Sequence, residues 1–107
     1  MVGTNYERAV KRQLLEQGWL VIRSAGSFMC DLVALKPDEH MLIEVKSTKA
    51  KVYRTASDKE QYDFFNALAE QGFTFYYCVC WKGQRKNKQS WFKLPMIPYP
   101  VFKQGDQ

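Results

Sequence analysis

The sequence predicts a mixed α/β fold: one mixed β-sheet flanked by helices, in the order αβββαββ. Three observations predict it. Two segments carry apolar residues at helical spacing and end at a glycine. Several runs rich in β-branched and aromatic residues lie between and after them. Two of those runs are separated only by a short polar segment, which reads as a hairpin. The chain has 107 residues, so a single domain over 1–107 is expected, with a modest core.

Residues 4–17 read as the first helix. Thr4 or Asn5 can cap it, Glu7 stands in its first turn, and Gly18 ends it. Tyr6, Ala9, Val10 and Leu14 form its apolar stripe. Glu7 falls at the rim of that stripe, and Arg8 points the other way. Residues 19–23 (WLVIR) read as a strand, and 24–27 as a turn. Residues 30–35 and 41–46 are strands joined through residues 36–40 (KPDEH). Residues 48–56 are polar and basic and read as a loop. Residues 57–71 form the second helix, capped by Ser57 with Glu60 three positions on, and stopped by Gly72. Residues 73–81 (FTFYYCVCW) are a strongly apolar strand, 82–89 a basic loop, and 90–94 a last strand. Prolines make the tail irregular from about residue 95.

Composition narrows the function. Hydrophobic residues are 46% of the chain, which excludes a disordered protein, and charged residues are 25%. The net charge of +5 favours a polyanionic partner, nucleic acid before membrane. A merely basic protein fits that charge equally well. No apolar run approaches the roughly 18 residues of a membrane span, and the N-terminus reads as a polar helix rather than a signal peptide. Cys30, Cys78 and Cys80 are odd in number and sit in strand-like apolar runs, so buried thiols are expected rather than disulfides. Cys78 and Cys80, with only the distant His40, make a poor zinc site. These features place the protein in the cytoplasm, without membrane association.

The unusual feature is charge inside strands. Alternation puts Asp31, Val33 and Leu35 on one face, and Leu42, Glu44 and Lys46 on one face of the next strand. Pairing Leu35 with Leu42 would set Val33 against Glu44 and Asp31 against Lys46. Two carboxylates and an ammonium would then converge. Adjacent carboxylates repel, and a divalent cation such as Mg²⁺ relieves the repulsion with hard oxygen ligands. Such an ion can orient a phosphodiester and help ionise water. A structural salt bridge of Lys46 with Asp31 or Glu44 fits the same spacing.

Further residues carry a family resemblance. They are Glu7-Arg8 on the first helix, Gly18-Trp19, Arg23-Ser24-Ala25-Gly26-Ser27, Asp31-Leu32-Val33-Ala34, and Ile43-Glu44-Val45-Lys46. Together they resemble the restriction-endonuclease-like nucleases, the PD-(D/E)XK superfamily, and within it the archaeal-type Holliday junction resolvases, which also occur in viruses. The resemblance runs from Gly3 to about Lys49 and loosens beyond. It implies that Asp31 and Glu44 bind Mg²⁺, with Mn²⁺ as a substitute and the Val45 carbonyl as a further ligand. It implies that Glu7 completes the acidic site, that Lys46 polarises phosphate or water, and that Ser27 takes part in activity. Arg8 and Arg23 match arginines that contact DNA, with Lys11 on the same helix as Arg8. Where the family often has a basic residue after Gly-Ser, this chain has Phe28-Met29, a candidate wedge against unstacked bases or a contact to a partner subunit.

The expected activity is thus that of an endonuclease making paired symmetric nicks in four-way DNA junctions. Lys49, Lys51 and Arg54 after the hairpin, and Lys82, Arg85, Lys86 and Lys88 further on, suit contacts to phosphate rather than to bases. Solvated charge runs would look the same. The two-fold symmetry of a junction implies a homodimer, and the aromatic surplus of Phe64, Phe65, Leu68, Phe73, Phe75, Tyr76 and Tyr77 agrees mildly. A viral source would place the protein in the host cytoplasm. Two alternatives remain: another nuclease of the superfamily acting on flaps, nicks or foreign DNA, or a non-catalytic junction-binding module.

Overall fold

A computed structural model describes residues 2–24, 30–83 and 89–105. Helix α1 (Val2–Glu16) leads into β1 (Leu20–Arg23), β2 (Leu32–Lys36) and β3 (Glu39–Thr48). A short β4 (Val52–Arg54) and a 3₁₀ turn (Thr55–Asp58) precede α2 (Lys59–Glu70). Strands β5 (Phe75–Trp81), β6 (Gln89–Lys93) and β7 (Val101–Lys103) complete the chain. The main sheet has five strands in the order β1-β2-β3-β5-β6. All neighbours are antiparallel except β3 and β5, which run parallel across the crossover through α2. This is the mixed sheet flanked by helices that the sequence predicts.

Two corrections concern short elements. The predicted loop at 48–56 contains β4, and the predicted irregular tail contains β7. The two strands pair as a separate two-stranded sheet, with Tyr53 opposite Phe102. Each strand is three residues long, too short for a periodic signal, and their pairing spans half the chain. Helix α1 begins earlier than predicted, so Asn5 lies inside it. Helix α2 is capped by Asp58 rather than Ser57: the Asp58 carboxylate accepts a bond from the Gln61 N–H at 3.4 Å, while Ser57 donates to the Arg54 carbonyl. Gly18 and Gly72 end the two helices as predicted, with φ of +93° and +112° that favour glycine.

The sheet has two differently filled faces. Helix α1 lays Val10 and Leu14 over Val21, Leu32, Ala34, Ile43, Cys78 and Cys80. On the other face α2 brings Tyr62, Phe65 and Ala69 onto Leu42, Phe75, Tyr77, Val79 and Phe92. Each wholly buried Leu, Ile or Phe contributes about 1.5–3 kcal/mol. All three cysteines are buried thiols, as predicted. Helix α2 does not reach the outer strands, so Leu20 (61% exposed) and Ile22 (49%) stay open beside half-buried Val33 and Leu35. Of the predicted aromatic surplus, Phe65, Phe75 and Tyr77 are core, whereas Phe64 and Phe73 are exposed. Among the described residues, no helix is long and apolar enough to cross a membrane.

Candidate active site

The β2–β3 hairpin carries the charged residues, and its register differs from the predicted one by two. Leu35 pairs with His40 and Val33 with Leu42. The cause is the turn: Lys36 pairs with Glu39, leaving only Pro37 and Asp38 as the loop. A one-residue slip would turn the strand's side chains to the other face, but a slip of two preserves it. Glu44 and Lys46 therefore still share the α2 face with Leu42. Asp31 lies in the bend just before β2, next to the last paired residues Leu32 and Ile43, and its charge acts on Glu44.

The geometry of the cluster is specific. Asp31 Oδ2 accepts a hydrogen bond from the Val45 N–H at 2.8 Å, so the backbone of the neighbouring strand fixes one of its oxygens. Lys46 Nζ lies 3.3 Å from Glu44 Oε2. Glu44 sits on β3, enclosed between β2 and β5, and its side chain is 7% exposed against 21% for Lys46. Its second oxygen, Oε1, is buried and has no hydrogen-bond partner among the described residues. An orphaned buried carboxylate oxygen is expensive unless something binds there. Burial, and then the negative Asp31, push the Glu44 carboxyl up to about 7, against the pull of Lys46. Burial pulls the Lys46 ammonium down, but Glu44, with Tyr53 and Asp58, outweighs it and raises Lys46 above its ordinary value.

The other candidates are distributed around this cluster. Glu7 approaches from the α1 side of the sheet and pairs with Arg23 Nε at 3.1 Å. Glu7, Arg8, Lys11, Arg23 and Leu32 line one cleft of about 130 Å³, so the three cationic candidates gather there. The structure does not bring Glu7 into a group with Asp31 and Glu44; among the described residues no three His, Cys, Asp or Glu side chains are placed to hold one metal ion. Lys49, Lys51 and Arg54 are exposed on the segment that leaves β3 and runs through β4. Ser27, Phe28, Met29, Arg85, Lys86 and Lys88 lie outside the described residues.

Two neighbours of the cluster were not read as site residues in the sequence. Tyr53, on β4, sits beside Lys46; burial pushes its hydroxyl up, and the Lys46 charge pulls only partly against that. Asp58, the α2 cap, carries a negative charge that reaches both Lys46 and Tyr53. Nothing local marks them, because both reach the site through the β4–β7 pairing and the start of α2. The whole arrangement offers two carboxylates with oxygens to spare beside a cation with a solvent-facing edge. It can hold a hard cation and donate a charged hydrogen bond to an anion such as phosphate.

Known proteins resemble this chain in sequence and in fold. The crossover junction endodeoxyribonuclease Hjc of Methanocaldococcus jannaschii is 40% identical over 67 residues, 62% of this chain. The chain spans about half the length of that curated relative (50%). The solved structure of Hjc from the archaeal hyperthermophile Archaeoglobus fulgidus, described as a Holliday junction resolvase, shares the fold with a TM-score of 0.71 at 23% identity. The match covers 96% of this chain and 84% of that one. The family model for the archaeal Holliday junction resolvase (Hjc) matches residues 1–89, both carboxylates and Lys46 included, and the chain belongs to that family.

Proposed function

We propose that this chain is a structure-selective endonuclease that resolves four-way DNA junctions by paired symmetric nicks, as a homodimer and with Mg²⁺. The observation that carries the reading is the Asp31–Glu44–Lys46 cluster, with its buried unpartnered Glu44 Oε1, in a chain of this family. The donor set fits a hard divalent cation: Asp31 and Glu44 would supply carboxylate oxygens, and Mg²⁺ commonly binds through one or two carboxylates while keeping several waters. When bound, the ion would supply charge neutralisation and a more acidic water. Mn²⁺, with similar oxygen preference, would substitute.

The chain's own residues do the rest. The Val45 N–H holds Asp31 in place, so the carboxylates are pre-set rather than gathered on binding. Lys46 presents its ammonium to the phosphate and stabilises the charge that builds up as a water attacks in line. Arg8, Lys11 and Arg23 around their cleft, with exposed Lys49, Lys51 and Arg54, contact phosphates and set register without reading bases. The homodimer would use the open sheet face at Leu20 and Ile22 with the exposed Phe64 and Phe73, apolar surface that a monomer leaves in water. Two copies related by a two-fold axis would set two sites against opposing strands.

A strand-labelled four-way junction, incubated with Mg²⁺ or EDTA beside matched duplex and flap substrates, tests the reading. The expected result is symmetric nicks on opposing strands, only with metal and only on the junction. Equal cutting of flap or duplex would make it a broader nuclease of this superfamily. Binding in Mg²⁺ without any cutting would leave a junction-binding module and overturn the enzymatic reading.

A further inference from the structure

We propose that residues 95–105 form a strap that seats Tyr53 against Lys46, which makes Tyr53 a positioning residue of the nuclease site. The inference rests on the reading of Lys46 as a site residue. The strap lies beyond residues 1–89, where the family match ends.

The strap is tied down along its length. Asn66 Oδ1 accepts from the Met96 N–H at 3.0 Å, and the Tyr62 hydroxyl reaches the carbonyls of Met96 at 3.1 Å and Ile97 at 2.9 Å. Tyr99, held at a φ of 54°, donates to Asp63 at 3.0 Å. A residue with a side chain avoids that region unless its surroundings fix it there. The Pro100 carbonyl accepts from the Thr55 hydroxyl at 2.8 Å and from the Thr55 N–H at 3.3 Å. Strand β7 then pairs with β4, and Gln104 N–H donates to the Lys51 carbonyl at 2.9 Å. Phe102 anchors the end: it is 1% exposed and stacks on Phe92 with ring centres 4.0 Å apart.

This anchoring has one consequence at the site. Tyr53, paired with Phe102, packs its ring against both Phe102 and Tyr77, 6.3 Å from each. Tyr77 is the β5 neighbour of Glu44, so the Tyr53 ring stands on the face that holds Glu44 and Lys46. Burial pushes the Tyr53 hydroxyl up, and the neighbouring Lys46 ammonium pulls against it, which puts the two groups side by side. A lysine ammonium has three donors. One faces Glu44 at 3.3 Å, the Tyr53 hydroxyl is the group to take a second, and the third is left for a phosphate oxygen. With Glu44 alone, Nζ would swing about a single partner. With Tyr53 as a second fixed point, its free donor has a defined direction, and small misplacements of such groups slow reactions steeply.

The test uses the full chain, wild type against Tyr53→Phe and Phe102→Leu. Three quantities are read: single-turnover junction cleavage, junction affinity, and the Lys46 side-chain ammonium signal by nitrogen-15 NMR. Tyr53→Phe keeps the ring stack and loses the hydroxyl. It should slow cleavage about 10-fold, in the range for partners that act through another residue. It should leave affinity and unfolding midpoint alone, and shift or broaden the ammonium signal. Phe102→Leu should alter the same signal through the strap. An unchanged signal and rate in Tyr53→Phe would overturn the positioning role. Lost stability in Phe102→Leu with an unchanged signal would overturn the strap's part in it. If the wild type cuts no DNA, the nuclease reading fails, while the ammonium signal still decides whether Tyr53 holds Lys46.

Discussion

Two ion pairs of nearly equal length stand on opposite sides of the sheet. Arg23 Nε and Glu7 Oε1 are 3.1 Å apart; Lys46 Nζ and Glu44 Oε2 are 3.3 Å apart. Distance alone would rank them equal. Their surroundings do not. Arg23 is 55% exposed, whereas Glu44 is enclosed on a central strand, faces a second carboxylate and leaves one oxygen unpartnered. The first pair is a surface contact at the mouth of a cationic cleft, worth at most about 1 kcal/mol. The second is a destabilised arrangement that the fold nevertheless keeps, with Glu44 pushed up to about 7. A protein tuned only for stability would fill that position with an apolar residue or a neutral amide. The contrast sets the Asp31–Glu44–Lys46 cluster apart by its energetics.

The sharpest break of the comparison is at Lys46. Lys46→Ala should lower junction cleavage by about 100- to 1000-fold, the scale for losing a preorganised donor to developing charge. Asp31→Asn and Glu44→Gln should lower cutting on the same scale, while all three variants still retard the junction in a gel. Single-turnover assays beside gel shifts measure both. Full cleavage by any of them would dismiss the cluster as the reacting site.

The cluster was legible in the sequence because its cause is local. Glu44 and Lys46 lie on one face by alternation and Asp31 meets them from the end of the neighbouring strand, and that survived a wrong register, since the slip was by two residues. The register itself depended on the turn, where Pro37-Asp38 closes a tighter loop than the run KPDEH suggests. Glu7 was legible only in part. Its place at the rim of the α1 stripe was right, but a helical wheel does not show that Arg23 waits there, because β1 meets α1 only in the folded chain. The strap was not legible. Val101-Phe102-Lys103 follows a proline-rich run and pairs with a three-residue strand about fifty positions away. Its strongest contacts are backbone carbonyls, which no residue pattern announces.

A smaller effect tests the destabilisation directly. Glu44 has a folded-state value near 7 against an ordinary 4.5, so the folded state binds its proton more tightly than the unfolded chain does. The stability from this group is fully present below about pH 4.5 and is lost as the pH rises through 7. The loss is on the order of 3 kcal/mol. Urea unfolding in EDTA at pH 5 and pH 8 should show it, and Glu44→Gln should flatten the dependence and be the more stable protein at pH 8. A wild type equally stable at both values, with Glu44→Gln no better, would mean that Glu44 is comfortable where it stands.

The smallest effect belongs to the exposed pair. Arg23→Gln removes the guanidinium that faces Glu7 and one positive charge of the Arg8–Lys11–Arg23 cleft. The unfolding free energy should change by less than about 1 kcal/mol, and high salt should erase the difference. The DNA readout should be clearer than the stability readout. If Arg23 neutralises a phosphate, the slope of log affinity against log salt for junction binding should fall by about 1. An unchanged slope with a measurable stability loss would reverse the assignment: Arg23 would then serve Glu7 and the α1–β1 packing, and the DNA path would run over Arg8 and Lys11 alone.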